Sequence, residues 1–321
     1  MKAFITGING QDGNYLSRYL LELGYEVHGI IRRNSVPEHQ ESRIDNISNK
    51  IKTYYGDVTD VGCLNMLLKK IQPDEIYNLA AQSHVRISFD IPQYTAQVNA
   101  LGALNVLEAY KENYPKAKYY QASSSEMFGN NVDSDNFQRL ATPMKPISPY
   151  GISKLFAFNM TNMYRTSHGL HACNGILFNH ESPMRGSNFV TTKVIKTAVQ
   201  IKFGQKNELI LGNLDAKRDW GHSKDYVVAM HKIINHNIPR NFIVATGQTR
   251  SIRELCDIVF SHFGLNYLDY TRTNIKYFRP NELEYLKGDS TIIQSVLGWK
   301  PKYTFESMIE EMIEHWYNIL K

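Results

Sequence analysis

Apolar positions along the chain follow two alternating periods. Short runs rich in β-branched and aromatic residues, "KAFITG", "YEVHGIIR", "IKTYYGD", "DEIYNLAA" and "AKYYQASS", read as strands. Between them lie segments with helical spacing. In "GNYLSRYLLELG", Tyr15, Leu16, Tyr19, Leu20 and Leu23 recur on one face and Gly24 stops the element. Further helices are predicted around "VGCLNMLLKKI", "TAQVNALGALNVLEAYKEN" and "PYGISKLFAFNMTNMYRTSHG", the last followed by the strand "LHACNGILF". This βαβ alternation predicts an α/β fold, a doubly wound parallel sheet with helices on both faces. Past residue 180 the alternation breaks, except that "NFIVATG" reads as a late strand returning to the sheet. The expected organisation is a first domain of residues 1–180, rejoined by 224–248, and a smaller discontinuous lobe from 181–223 and 249–321.

Composition excludes several classes. At 321 residues the chain exceeds what one hydrophobic core usually serves, which agrees with two lobes. Hydrophobic residues at 42% and charged residues at 21% are ordinary for a globular protein and argue against disorder or a coiled coil. No apolar run reaches the roughly 18 to 20 residues of a membrane span, and "MKAFITGING" reads as strand and turn rather than signal peptide. A cytoplasmic protein with no membrane partner is expected. Cys63, Cys173 and Cys256 lie far apart without metal-ligand spacing, so reduced thiols and no metal site are expected. The net charge of +5, with scattered Lys and Arg, suits an anionic small molecule better than a nucleic acid.

Two motifs carry chemistry. Gly7-x-x-Gly10-x-x-Gly13 falls at the first strand-to-helix turn, where glycine lets backbone N–H groups approach a pyrophosphate at a helix N-terminus. Three glycines in a turn can also be purely conformational; their place in a doubly wound chain points to a dinucleotide. The second strand ends in Arg32-Arg33-Asn34-Ser35 instead of an acidic residue, which suits a 2′-phosphate and hence NADP, the alternative being a solvated basic loop. Asp57 ends the third strand, placed either for the adenine amino group or to cap the next helix with Thr59 and Asp60. The second motif is Tyr150-x-x-x-Lys154. Ser148 and Pro149 read as N-cap and first helical residue, so the phenol and the ammonium share one helical face. An ammonium and a cationic nicotinamide ring would favour the phenolate and make Tyr150 a base for an alcohol proton. The bland alternative is a surface Tyr and Lys on an amphipathic helix.

Long stretches, notably "TGINGQDGNYL", "YYQASSSEMFG", "ILFNHESPMRG", "RDWGHSKDY" and "FRPNELEYLKGD", resemble the extended short-chain dehydrogenase/reductase family and, within it, the GDP-mannose 4,6-dehydratases, over nearly the whole chain. The resemblance implies a GDP-sugar substrate and a tightly bound NADP that is recycled within each turnover. It implies Tyr150 as the base for the sugar 4-hydroxyl, Lys154 as its electrostatic partner, Ser124 as the hydroxyl bonding the 4-oxygen, and Glu126 as the C5 base. Ser125 stands where dehydratases acting on dTDP-glucose have aspartate, and epimerases of this fold lack the glutamate. For the cofactor it implies Gly7, Asn9, Gly10, Gln11, Asp12, Gly13, Arg32, Asp57, Val58, Leu79, Ala80, Ala81, Gln82, Ser83, Tyr94 and Lys154, with His180 and Arg185 near the nicotinamide or phosphates. Without the resemblance, His180 would read as a satisfied core imidazole. For the substrate it implies Ser83, Ser125, Glu126 and Asn179 near the hexose and Asn188, Lys193, Arg218 and Arg279 on the diphosphate or guanosine, with Glu282 on the base or ribose. Any one of these arginines could instead be a surface ion pair. A homodimer through the helices near 95–112 and 149–167 is expected, with a tetramer left open. Leu101, Leu104, Leu107, Phe156, Phe158 and Met163 on those helices would be either contact or core. Two alternatives stand beside the leading reading. A dehydratase or 4-reductase on a related GDP-sugar, such as GDP-manno-heptose or GDP-4-keto-6-deoxy-mannose, is one; as a reductase it would not need Glu126. The other is a non-catalytic dinucleotide sensor, which should lack Tyr150 or Lys154.

Overall fold

Strand β1 (Lys2–Thr6) leaves the glycine turn at its C-terminal end, and α1 (Gln11–Glu22) begins there without a side-chain N-cap. Strand β2 (Glu26–Ile31), strand β3 (Lys52–Tyr55), helix α2 (Val61–Ile71) and strand β4 (Glu75–Asn78) follow. A computed structural model describes residues 1–33 and 43–321; Asn34 and Ser35 of the basic segment lie outside the described residues. After β4 come two short helices, α3 (Val85–Ser88) and α4 (Pro92–Ala96), then α5 (Gly102–Asn113) and β5 (Lys118–Ser124). The long helix α6 (Pro149–His168) leads into β6 (Ala172–Leu177). Ser148 caps α6 by accepting from Gly151 N at 3.0 Å, Pro149 takes the first turn, and Gly169 ends it in the left-handed region.

The rest of the chain divides its elements between two places. β7 (Asn179–Glu181), α7 (Val190–Lys202), β8 (Leu209–Leu211), β9 (Lys217–Arg218) and β10 (Trp220–His222) precede α8 (Ser223–Ile234) and β11 (Asn241–Val244). β12 (Arg250–Ser251), α9 (Ile252–His262), α10 (Tyr267–Tyr270), β13 (Thr271–Thr273), α11 (Thr291–Leu297) and α12 (Phe305–Leu320) complete the chain. The large sheet has the order β11-β6-β5-β4-β1-β2-β3, every pairing parallel. β11 thus closes one edge, as "NFIVATG" predicted. Two cores cover its faces: Leu16, Leu20, Met230 and Ile233 bring in α1 and α8, and Leu67, Leu68, Val106 and Tyr110 bring in α2 and α5. A separate core of Val194, Ile195, Leu255, Phe260, Met308 and Met312 binds α7, α9 and α12 into the second unit.

The predicted helix over 95–113 is interrupted. Gln97–Leu101 forms a π-helical turn between α4 and α5, an irregularity that hydrophobic spacing does not reveal. The extra residue aims Asn99 at the β4 loop, where its side chain accepts from Gln82 N at 2.8 Å and donates to Gln82 O at 3.0 Å.

Parallel order places the C-terminal ends of β1, β4, β5 and β6 side by side, and chain reversal between β1 and β4 opens a crevice there. Thr6 ties its two walls together: its hydroxyl donates to Asn78 Oδ1 at 2.6 Å and accepts from Leu79 N and Ala80 N at 3.2 and 3.1 Å. Gly7, at φ +73°, lies so close that a Cβ would sit 3.0 Å from Ala80, and a Cβ on Gly13 would meet Gly7 O at 2.4 Å. Replacing Thr6 by valine keeps the shape but strands a buried carbonyl and an N–H, so urea unfolding should show a loss of about 2 to 3 kcal/mol. Thr6→Ser should recover most of it; an unchanged midpoint in Thr6→Val would refute this role.

Candidate active site

At the mouth of the crevice the structure forms a cleft of about 840 Å³. Its walls gather Asp12, Leu79, Ala81, Ser83, Ser124, Ser125, Glu126, Tyr150, Lys154, Asn179, His180, Arg185, Asn188, Lys193, Arg218, Arg279 and Glu282. These come from the glycine turn, the ends of β4, β5 and β6, the first turns of α6, and the second unit. Gly7, Asn9, Gly10, Gln11 and Gly13 form the adjoining turn, with Ala80 against it, while Arg32, Asp57 and Val58 follow β2 and β3. The Arg32 guanidinium lies 5.8 Å from the centre of the Tyr94 ring, which joins two residues distant in sequence. Gln82 is held by Asn99 and by Thr95, to whose hydroxyl its amide donates at 3.1 Å. Asp57 accepts from Thr59 N and Oγ1 at 2.9 Å, and the cap of α2 is Asp60, accepting from Cys63 N.

The serine cluster closes β5 and enters a 3-10 turn, Ser125–Phe128, whose four residues are all buried. Ser123 donates to Asn174 Oδ1 at 3.0 Å, which makes it structural, and Ser124 Oγ accepts from Glu126 N at 3.2 Å. Tyr150 and Lys154 face this turn. Lys154 is 4% exposed, donates to Ala122 O at 2.9 Å, and holds its nitrogen 5.8 Å from the centre of the Tyr150 ring. Burial pulls the Lys154 ammonium down to about 8 against the attraction of Asp12. Burial likewise pushes the Tyr150 phenol up to about 12, with the hydrogen bond to Ser124 opposing and the charge of Glu126 reinforcing the rise. The expectation of a phenolate counted on a cationic nicotinamide ring as well as on the lysine; burial alone favours the neutral phenol.

His180 occupies a position that satisfies both readings made of it. Its Nδ1 lies 2.8 Å from Phe178 O and its Nε2 2.8 Å from Asp12 Oδ2, and it stacks on Tyr226 at 4.5 Å. A carbonyl and a carboxylate only accept, so both contacts are met when the ring carries two protons, and this pairing favours the imidazolium. Burial alone would lower the His180 pKa, but the charge and hydrogen bond of Asp12 prevail and raise it. Burial would raise that of Asp12, and His180 reverses this to a net lowering. Arg185 lies 3.0 Å from Glu181, which also accepts from Thr191, and covers the Phe189 ring at 3.6 Å. Asn179 lines the cleft, and its Oδ1 is buried with no hydrogen-bond partner among the described residues.

Across the cleft, the arginines are committed to carboxylates. Arg279 Nη1 lies 3.0 Å from Glu126 Oε1, its Nε is 3.9 Å from Glu282, and Glu282 in turn lies 3.3 Å from Arg218. Arg218 is buried, and desolvation together with repulsion by Arg279 pulls it down to about 10. Lys193 sits 3.8 Å over the Tyr277 ring. The pairing of Arg279 with Glu126 joins residues 153 positions apart and has no sequence signal. Thr6 and Asn99 were likewise missed as supports; only their places beside the glycine motif and the β4 loop could have pointed to them.

The family model described as GDP-mannose 4,6 dehydratase matches residues 4–312. GDP-mannose 4,6 dehydratase 1 of Arabidopsis thaliana is 48% identical over 97% of this chain and 88% of its own length. GDP-mannose 4,6 dehydratase of Homo sapiens is 43% identical over 97% of this chain and 90% of its own. The chain belongs to the GDP-mannose 4,6-dehydratase family. Its members are enzymes of the hydro-lyase type, which answers the choice between catalyst and sensor. A solved UDP-glucose 4-epimerase of Thermotoga maritima superposes with a TM-score of 0.87 at 22% identity, covering all of both chains, and supports the fold alone. A dTDP-glucose 4,6-dehydratase of Bacillus anthracis gives 0.85 at 20% identity over 99% of this chain and 97% of that one.

The Asp12–His180 pair links the glycine turn to the β6 loop, and its contribution depends on pH in a stated direction. The raised His180 contributes fully below its unfolded value near 6.5 and loses its contribution as pH rises through the folded value. The lowered Asp12 contributes above 3.8 and loses its contribution as pH falls through its folded value. His180→Phe should therefore cost about 3 kcal/mol near pH 5.5 and progressively less at alkaline pH, read from urea unfolding across pH. A difference that does not change with pH would count against the ion pair.

Proposed function

We propose that this chain converts GDP-mannose to GDP-4-dehydro-6-deoxymannose and water, with Ser124, Glu126, Tyr150 and Lys154 as its chemical centre. The observation that carries the reading is the convergence of these four side chains in one cleft, at the C-terminal edge of a parallel sheet and beside an uncapped helix start. NADP fits the residues present. The Gly7–Gly13 cradle admits no side chain, the N-terminus of α1 lacks a side-chain acceptor, and Arg32 follows β2 where a 2′-phosphate would lie. When bound, NADP supplies a hydride acceptor for C4 and the hydride donor for C6.

Tyr150 takes the proton of the 4-hydroxyl, and Ser124 holds the same oxygen. Lys154 keeps a positive charge behind the phenol, against the desolvation that opposes its ionisation. Oxidation at C4 acidifies the C5 proton and Glu126 removes it; the two protons taken by Tyr150 and Glu126 are those that the departing C6 hydroxyl, leaving as water, and C5 receive. Asn179, with a buried oxygen that has no partner among the described residues, supports a contact to a hexose hydroxyl, and the cations Lys193, Arg218 and Arg279 in the same cleft support contacts to the diphosphate. Homodimerisation through α5 and α6 is supported by Leu101, Ile152, Phe156 and Met163, all exposed there, whereas Leu107 and Phe158 are core. Among the described residues no helix is long and apolar enough to cross a membrane.

Mass spectrometry of GDP-mannose incubated with the holoenzyme tests the reading. Loss of one water with no net change in NADPH absorbance supports it, and absence of conversion rejects it. Tyr150→Phe should lower kcat by about a hundredfold or more, the scale of a lost general base. Glu126→Gln should still oxidise C4 and stall before elimination, so that reduced cofactor builds up on the enzyme.

A further inference from the structure

The carboxylate read as the C5 base is already engaged as the protein stands. Glu126 is 7% exposed, and its Oε1 lies 3.0 Å from the Arg279 guanidinium. The pair belongs to a chain of alternating charge, Glu126, Arg279, Glu282 and Arg218, in which two cations balance two anions. Glu282 is shared between both arginines, so neither guanidinium is saturated.

The two ends of the Glu126–Arg279 contact differ in freedom. Glu126 sits in the 3-10 turn, its N–H donating to Ser124 Oγ and its neighbours Met127 and Phe128 fully buried. Arg279 projects from a segment, residues 278–284, that lies outside any helix or strand. That segment is tied to Asn130 through Glu282 O and Glu284 N, so a change of partner by Arg279 would be made by its long side chain. A diphosphate diester brings two negative charges and bidentate oxygens into this wall, a better match for guanidinium than one shared carboxylate.

Resting on the reading of Glu126 as the base, we propose that Arg279 is a positioning residue that holds Glu126 paired until the substrate's diphosphate draws the guanidinium away, so that the base is freed only when a nucleotide-sugar is seated. Substrate binding energy remote from the ring is thereby used at the reacting carbon. The arrangement also keeps Glu126 from acting on sugars without a diphosphate.

Two measurements test it. In a crystal structure of the holoenzyme with GDP alone, Arg279 should lie on the diphosphate and no longer within hydrogen-bond distance of Glu126; a retained 3.0 Å pair overturns the proposal. The second is the split between KM and kcat. R279Q should raise KM about 10- to 100-fold for the lost charged contact while kcat at saturation stays within a few-fold, because no cation then holds the base. R279K, which keeps a cation, should restore KM. A KM unchanged in R279Q, or a kcat that collapses at saturation, overturns the proposal. If instead E126Q dehydrates GDP-mannose at the wild-type rate, it is the reading of Glu126 as base that falls, a result distinguishable from the first.

Discussion

Thr6 Oγ1 makes three hydrogen bonds at the point where the sheet reverses its order, to Asn78 Oδ1, Leu79 N and Ala80 N. β1 and β4 pair directly up to Thr6 and Asn78, and this hydroxyl extends the backbone ladder into the loop where the two chains part. Asn78 passes the constraint on by donating to Gln121 Oε1 at 2.9 Å, and Tyr119 donates to the same oxygen at 2.6 Å. A polar ladder thus runs from β1 through β4 to β5 inside an apolar sheet, where leaving any rung unpaired would be costly. The end of β5 that carries Ser124 and Glu126 is placed relative to the glycine turn by that ladder.

Once these walls are placed, desolvation governs the electrostatics of the cleft. It pulls down the cations Lys154 and Arg218 and pushes up the phenol of Tyr150. In each case burial disfavours the charged form, so a ligand charge of opposite sign beside one of these groups would act in a medium where it counts for more than in water.

Much of the fold was legible because the sheet announces itself locally. β-branched runs, helical spacing, the Gly7-Gly10-Gly13 turn and the Ser148-Pro149 helix start are short-range signals, and the sheet with its late strand β11 follows from them. What remained hidden is long-range. The π turn at Gln97–Leu101 follows the same apolar pattern as an α-helix and differs only in where it aims Asn99. His180 could be read as core or as ligand-facing because it is both: its nitrogens are satisfied within the protein while its ring lines the cleft. Arg279 was assigned to the diphosphate by resemblance, and its grip on Glu126 depends on two segments that meet only in the folded chain.

The relation to the fold's other members turns on the same few residues. The epimerase and the dTDP-glucose dehydratase superpose on nearly the entire chain at 20 to 22% identity, so backbone architecture does not choose the reaction. A Tyr–Lys pair beside a dinucleotide turn provides for oxidation of a hydroxyl, and nothing in that pair provides for elimination. Elimination needs a second base at C5, and a carboxylate beside a phenol opposes the phenol's ionisation by repulsion, an influence already felt at Tyr150 from Glu126. Pairing that carboxylate with a guanidinium offsets part of this repulsion in the empty cleft, a physical reason for the alternating charge of the second wall that does not depend on substrate affinity.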